Sequence, residues 1–222
     1  MGITLAEEIM LLSLDDESGS AKQRQAAGWA VAGGILLELV LAGRVSVTGK
    51  YFALVDTSPT GEPLLDSRTG LIGTWLRGRS NRRVTDWLTK DHTKAVAAAL
   101  EGLRGRGVVL ETEHRVLGLF PLRRRYPAAD GSVEEALRAR LRSVVIEGAE
   151  PDERTAGLIA LIHSAGLHRL AFPDLPRRQT APRMAEIATG QWAADSVRAA
   201  IRDMQAAMAA VTVMTAAAAA AG

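Results

Sequence analysis

The chain has 222 residues, of which 47% are hydrophobic, and a formal net charge of +2. This is enough apolar material for one large domain or two small ones, and it excludes the intrinsically disordered class. The lack of cysteine excludes disulfides, thiolate metal sites and cysteine nucleophiles. Aromatic residues make up only 4% of the chain, and abundant alanine and leucine favour helices over sheets.

Charge is distributed unevenly along the chain. Residues 1–67 contain 4 basic and 9 acidic residues, residues 68–142 contain 16 and 8, and residues 143–222 contain 7 and 8. The middle third is therefore where we expect an anionic partner to bind. The alternative interpretation of this charge is a solvated helical surface.

The first helix is predicted from Thr4 and Glu7, which form a capping box ahead of an apolar run. No basic segment followed by an apolar run and a cleavage site marks the N-terminus for secretion. The expected location is the cytoplasm, at the inner face of the membrane if the protein binds lipid.

Directly after this helix come Asp15, Asp16 and Glu17. Clustered carboxylates suit a hard divalent cation such as Mg²⁺, with Asp15 and Asp16 as the candidate ligands and all three as candidate catalytic residues. The same residues are also typical of a turn that leads into the next helix. Both interpretations stay open at this point.

Residues 26–43 read AAGWAVAGGILLELVLAG, with Glu38 as the only charge. A helix of this length is just long enough to cross a thin bilayer, but three internal glycines and a glutamate fit poorly with insertion. The pattern favours a central helix, over about 26–42, that other helices surround. We therefore expect a mainly α fold, a single compact domain over residues 1–222 with one or two short β-hairpins.

Turn residues and β-branched residues predict the remaining elements. A hairpin is expected at 45–56 and a loop at 57–66, and helices are expected to begin near residues 70, 91, 132 and 152. Pro173, Pro176 and Pro182 predict a loop, and one last helix is expected from Met184 to Ala221.

A loop rich in glycine and serine carries Arg77, Arg79, Arg82 and Arg83. Guanidinium groups match phosphate oxygens in bidentate fashion, so this cluster is a candidate site for a phosphorylated headgroup or a diphosphate. Nucleic acid is not expected, because no aromatic residues lie between these arginines to stack on bases.

A second hairpin is expected within residues 108–122, with Leu117, Leu119 and Phe120 as an apolar tip. Arg123, Arg124 and Arg125 are expected to follow it directly. An apolar tip beside three cations suits an anionic membrane surface. The alternative is a structural hairpin buried in its own domain.

Several segments together resemble the Golgi phosphoprotein-3-like family: TLAEEIMLLSLDDESG, GWAVAGGILLELVLAGRV, LLD at 64–66, VTDWL at 84–88 and LRGRGVVLETE at 103–113. The eukaryotic members are peripheral membrane adaptors that bind phosphatidylinositol 4-phosphate, and bacteria encode relatives, of which this chain is expected to be one. The resemblance also implies that the second hairpin contributes to oligomerisation and to membrane contact.

The family's phosphoinositide residues do not carry over. Its tryptophan and first arginine fall on Gln23 and Ala32, and its two further arginines fall on Thr93 and Val96. Trp29 is in the same helix as the family's tryptophan but lies six residues later. A segment of about a dozen residues, which the eukaryotic members carry after the W-L motif at 87–88, is missing from this chain. We therefore expect no binding of phosphatidylinositol 4-phosphate in the family manner.

Two functional hypotheses follow. The first is a peripheral module that binds an anionic lipid or a phosphorylated small molecule. It needs no cofactor, and it is compatible with a homo-oligomer. The second is a Mg²⁺-dependent enzyme acting on a prenyl or lipid diphosphate by lyase or cyclase chemistry, with the acidic residues 15–17 at a pocket lined by Trp29. The first is favoured, since no second metal-ligating motif and no paired general acid and base is found.

Overall fold

The computed structural model describes residues 2–14, 24–78, 82–114, 123–129, 131–189 and 195–220. Within these residues the chain forms nine helices and four short strands. In chain order they are α1 (Leu5–Ser13), α2 (Arg24–Leu41), β1 (Val45–Thr48), β2 (Tyr51–Leu54), α3 (Pro63–Leu76), α4 (Val84–Gly105), β3 (Thr112–His114), β4 (Arg123–Arg125), α5 (Ser132–Val145), α6 (Glu153–Ser164), α7 (His168–Ala171), α8 (Arg177–Thr189) and α9 (Asp195–Ala220). The predicted mainly α fold is confirmed.

Helix α2 is the centre of the molecule. It packs against α1, α4, α6 and α9, and most of its side chains from Ala27 to Leu39 are buried. Its apolar character is therefore explained by helices on every side, as expected from the sequence. None of the helices in the described part of the chain is both long and apolar enough to cross a membrane.

Helix α1 begins with the predicted capping box. The Thr4 hydroxyl accepts from the Glu7 backbone N–H at 3.2 Å, and the Glu7 carboxylate accepts from the Thr4 backbone N–H at 2.6 Å. These bonds satisfy two backbone donors that the first turn of a helix otherwise leaves unpaired. The capped end fixes α1 against the central helix, where the Leu5 N–H donates to Glu38 at 2.8 Å.

The four strands form two antiparallel hairpins. In the first, Val45 pairs with Leu54 and Thr48 with Tyr51, so the turn lies at Gly49 and Lys50, with Gly49 at a φ of +60°. In the second, Thr112 pairs with Arg125 and His114 with Arg123. Arg123, Arg124 and Arg125 therefore form the second strand, which corrects the expectation that they follow the hairpin.

Three helix boundaries differ from expectation. Helix α3 begins at Pro63 rather than near residue 70, because a proline at the first helical position loses no hydrogen bond. Helix α4 begins at Val84 rather than near residue 91, so the VTDWL segment forms its first turn. Pro182 lies inside α8 rather than in a loop, and the carbonyl that its missing N–H leaves without a helical partner belongs to the exposed Arg178.

The end of the chain also differs from expectation. One helix was expected from Met184 to Ala221, but α8 ends at Thr189 and α9 starts at Asp195. Met204, Met208 and Val211 on α9 are buried, so this part of the helix packs on the core.

Candidate anion-binding site

An open cavity of about 560 Å³ lies between the end of α3, the first half of α4 and the segment that leads into α4. Helix α3 contributes Leu71, Thr74 and Trp75, and α4 contributes residues spaced so that they share one face. The complete lining is Leu71, Thr74, Trp75, Arg77, Arg82, Trp87, Lys90, Asp91 and Lys94.

Four cations converge on this cavity. Arg77 is the C-cap of α3, Arg82 precedes α4, and Lys90 and Lys94 lie one helical turn apart on α4. No carboxylate among the described residues forms an ion pair with any of these four side chains. Their charges are therefore available to an anion that enters the cavity.

Arg82 is held in place from two directions. Its guanidinium carbon lies 4.4 Å from the centre of the Trp75 ring, at the distance of a cation–π contact. Its backbone carbonyl accepts from the Phe52 N–H at 3.3 Å, and the next residue but one, Val84, donates to the Lys50 carbonyl at 2.9 Å. The first hairpin thus anchors the segment that presents Arg82.

An aromatic cluster supports the inner wall. The ring centres of Trp75 and Trp87 are 5.3 Å apart, and Phe52 lies 5.8 Å from Trp75 and 6.4 Å from Trp87. Trp87 is 2% exposed and Trp75 is half-buried. Such packing fixes ring positions, so the wall beneath Arg82 is formed before any ligand arrives.

A buried ion pair lies at one side of the cavity. Arg68 Nη1 donates to Asp91 Oδ1 at 3.0 Å, and both side chains are almost fully buried. Arg68 also donates to the backbone carbonyl of Lys94. Burial raises the pKa of Asp91, and the charges of Arg68 and Lys94 oppose that rise.

Three polar atoms of the lining residues have no hydrogen-bond partner among the described residues. They are Nε of Arg82, Nε1 of Trp87 and Oδ2 of Asp91. Two are donors and one is an acceptor. All three atoms are buried, and unpaired buried polar atoms are costly.

The structure brings together only part of the predicted arginine cluster. Arg77 and Arg82 line the cavity, Arg83 is the exposed N-cap of α4, and Arg79 lies outside the described residues. Lys90 and Lys94 were missed, although they are two of only four lysines in the chain and their spacing of four places them on one helical face. Trp29 is 4% exposed in the core beside His92 and does not line the cavity.

The other predicted site residues lie in parts that the structure describes only partly or not at all. Asp15, Asp16 and Glu17 are outside the described residues, as are Leu117, Leu119 and Phe120, and for Arg123 to Arg125 only the backbone is described. Within the described ranges, no three histidine or carboxylate side chains are placed to hold a metal ion. The Mg²⁺-dependent enzyme stays a prediction.

A second cavity, of about 610 Å³, lies between α1 and the second half of α4. Its arginine, Arg106, is bound to Glu7 at 3.3 Å and also to Glu62. Because that cation is already paired with carboxylates, this cavity is less suited to an anion than the first.

The positions that the family resemblance assigns to phosphoinositide binding carry no cation. Ala32 is buried in the core, Thr93 is exposed and Val96 is half-buried, while Gln23 is outside the described residues. Thr93 and Val96 do not line the basic cavity, although Lys94 between them does. The basic cavity is therefore built from a different set of residues.

Fold and cavity together define a helical protein organised around one buried helix, with a basic cleft between two of the surrounding helices. The sequence profile of Golgi phosphoprotein 3 (GPP34) matches residues 5–204, and the chain belongs to this family. Vacuolar protein sorting-associated protein 74 of Eremothecium gossypii is 29% identical over 169 residues, which are 65% of this chain and 49% of the relative. The chain thus spans about half the length of this curated relative.

Proposed function

We propose that this protein is a peripheral binding module that holds a phosphorylated headgroup, or an anionic lipid that carries one, in the basic cavity. The observation that carries the proposal is the convergence of Arg77, Arg82, Lys90 and Lys94 on one open cavity, with no described carboxylate in an ion pair with any of them. Membership of the Golgi phosphoprotein 3 family supports a protein of this kind, because the eukaryotic members that the sequence resembles are peripheral membrane adaptors that bind a phosphorylated lipid.

The arrangement suits a phosphate group, which offers several acceptor oxygens. Guanidinium groups at two positions offer pairs of parallel donors, and the two lysines of α4 add point charges. Trp75 holds one of these guanidinium groups in place, so less conformational freedom is lost on binding.

The test is co-sedimentation with phosphatidylcholine vesicles that contain increasing fractions of phosphatidylglycerol, at low and at high salt. Bound protein is expected to rise with the anionic fraction and to fall with salt, because exposed charges are screened. Removing one cation, in Arg82→Gln or Lys94→Gln, is expected to weaken binding roughly tenfold, since each removes a charge-assisted hydrogen bond.

The matched control is Arg178→Gln, which removes the same charge from an exposed residue of α8. Equal losses in the control and in Arg82→Gln would show that net charge, rather than the cavity, binds the vesicles. No binding at any anionic fraction would contradict the proposal. If prenyl diphosphate added to the same tubes were lost in a Mg²⁺-dependent reaction, the enzyme hypothesis would replace the binding module.

A further inference from the structure

We propose that Lys90 and Lys94 are sites of acylation by acyl phosphates, with the phosphate end of the reagent held in the basic cavity. This inference rests on the proposed function, because the cations that bind a phosphate group also direct the reagent. It goes beyond that function, since the bound molecule transfers its acyl group and changes the charge of the cavity.

The acceptor groups are the two lysine side chains of the cavity. Lys90 and Lys94 are both exposed, and both line the cavity one helical turn apart on α4. No carboxylate of the described residues forms an ion pair with either ammonium group. Asp91, which lines the same cavity, is bound instead by Arg68 at 3.0 Å. Both amines are therefore accessible to a reagent from solvent, and no ion pair has to break first.

The arginines bind the other end of the reagent. Arg77 and Arg82 line the cavity together with the lysines, and guanidinium groups pair with phosphate oxygens in bidentate fashion. Arg82 is already held by Trp75, whose ring centre lies 4.4 Å from the guanidinium carbon. A phosphate group on these arginines brings the acyl group attached to it into the cavity that contains the two amines. Binding thus raises the effective concentration of the reagent at these lysines.

The reaction is the displacement of phosphate by an amine. The uncharged lysine Nζ attacks the carbonyl carbon, so that a C–N bond forms and the C–O bond to phosphate breaks, with its electron pair staying on the phosphate oxygen. The nitrogen gives up its proton to phosphate or to water. The products are an amide on the lysine and inorganic phosphate, and nothing is oxidised or reduced. Arg77 and Arg82 stabilise the negative charge that develops on the departing phosphate.

Lys50 provides an internal comparison. It is exposed, as the two cavity lysines are, but it lies in the turn of the first hairpin and does not line the cavity. Its ammonium nitrogen lies 5.4 Å from the centre of the Tyr51 ring. Exposure alone predicts similar acylation of all three lysines, whereas direction by the cavity predicts a difference between Lys50 and the other two.

Acylation at these positions would control the proposed function. An acylated lysine carries no charge, so modification of both removes two of the four cations that converge on the cavity. Protein acetylated at Lys90 and Lys94 is expected to bind anionic vesicles about tenfold or more weakly than untreated protein, as expected for the loss of charge-assisted hydrogen bonds.

The test treats the whole protein with acetyl phosphate and follows the acetylation of each lysine by peptide mass spectrometry. A parallel sample receives N-acetoxysuccinimide, an uncharged reagent that transfers the same acetyl group and has no phosphate. Within each sample, the rates at Lys90 and Lys94 are divided by the rate at Lys50, which removes differences in reagent reactivity. This ratio is expected to be at least about tenfold higher with acetyl phosphate. Added inorganic phosphate is expected to abolish the difference, because it occupies the guanidinium groups.

Arg82→Gln makes the test specific to the cavity. This variant is expected to lower the ratio obtained with acetyl phosphate severalfold, because one of the two phosphate-binding guanidinium groups is lost. The matched control is Arg178→Gln, which removes the same charge from an exposed residue of α8 and is expected to leave the ratio unchanged. The comparison of the two reagents on the wild-type protein needs no variant, so it stands even if Arg82→Gln does not fold.

The outcomes distinguish this inference from the proposed function. Equal ratios with the two reagents would overturn the acylation sites and leave an anion-binding cavity. A raised ratio that inorganic phosphate does not lower would also overturn them, because phosphate binding would then not direct the reaction. Unchanged vesicle binding by the acetylated protein would overturn the control of binding. Equal ratios together with no binding to any anionic vesicle would overturn the proposed function as well.

Discussion

Arg154 illustrates how single charged residues hold the helices together. From α6 its guanidinium donates to Glu8 at 2.7 Å, to Glu38 at 3.3 Å and to the Ile3 carbonyl at 2.6 Å. Glu8 is 4% exposed, and burial raises the pKa of Glu38, while the charge of Arg154 lowers it. The arginine thus compensates two carboxylates that the core has removed from water.

Arg154→Met is expected to lower the free energy of unfolding by about 3 kcal/mol, because it leaves Glu38 without its cation and leaves the buried Glu8 with Arg140 alone. Urea denaturation monitored by circular dichroism measures this change. The control is Arg142→Met, whose contact with the exposed Asp174 is 3.8 Å long. That variant is expected to change stability by less than about 0.5 kcal/mol. Equal effects in the two variants would contradict the role assigned to Arg154.

A second residue-scale prediction concerns pH. His168 is 2% exposed, and burial lowers its pKa to about 4, with the neighbouring His163 and Arg177 acting in the same direction. His163 Nδ1 lies 3.0 Å from His168 Nε2. An unfolded histidine titrates near pH 6.5, so the unfolded chain takes up this proton before the folded chain does.

The free energy of unfolding is therefore expected to fall as the pH is lowered from about 6.5 to about 4. His168→Gln removes this group and is expected to show a flatter profile over the same range. Urea denaturation at a series of pH values provides the measurement. A variant profile as steep as that of the wild type would show that other groups cause the loss.

At the scale of elements, the glycines of α2 explain how neighbouring helices pack so closely against the central helix. A Cβ on Gly34 would lie 3.1 Å from the Ala6 backbone nitrogen, and one on Gly33 would lie 3.0 Å from a Leu161 methyl carbon. Helices α1 and α6 therefore approach the central helix at points where it has no side chain. These glycines counted against a membrane span in the sequence, and they serve close packing in the fold.

Gly34→Ala is expected to lower the free energy of unfolding by about 1–3 kcal/mol, because the new methyl group meets backbone that cannot move independently. Gly70→Ala is the matched control, since nothing lies within 4 Å of its Cβ position in α3. There the substitution is expected to raise stability by up to about 1 kcal/mol through helix propensity. Thermal denaturation of both variants gives the comparison, and a stabilising Gly34→Ala would contradict the close approach.

The helical fold could be predicted from the sequence, but only two of the four cations that line the cavity were predicted. The long apolar run of α2 and the turn around Gly49 are local signals, so both elements were found. Arg77 and Arg82 were found because arginines are dense in that loop. Lys90 and Lys94 were missed, because they reach the cavity only when α3 packs beside α4. The local sequence of either helix does not indicate that contact.

At the scale of the whole molecule, the cavity and the second hairpin both lie within the basic middle third of the chain. We expect the hairpin tip to supply apolar contact with the bilayer and the cavity to supply headgroup recognition. Leu119→Asp is then expected to reduce vesicle sedimentation, because a charged side chain disfavours insertion into the bilayer surface, while calorimetric binding of a soluble phosphate ester to the cavity is unchanged. Unchanged sedimentation would show that the hairpin does not contribute to membrane binding.

The stacking of Arg82 on Trp75 has a spectroscopic consequence. An anion that draws the guanidinium toward itself changes the electric field at the indole ring, and with it the fluorescence emission of a residue 4.4 Å away. The chain has four tryptophans, and two of them, Trp75 and Trp87, line the cavity. The protein therefore carries its own optical reporter of occupancy, and Trp75→Phe identifies which part of the signal comes from the cavity.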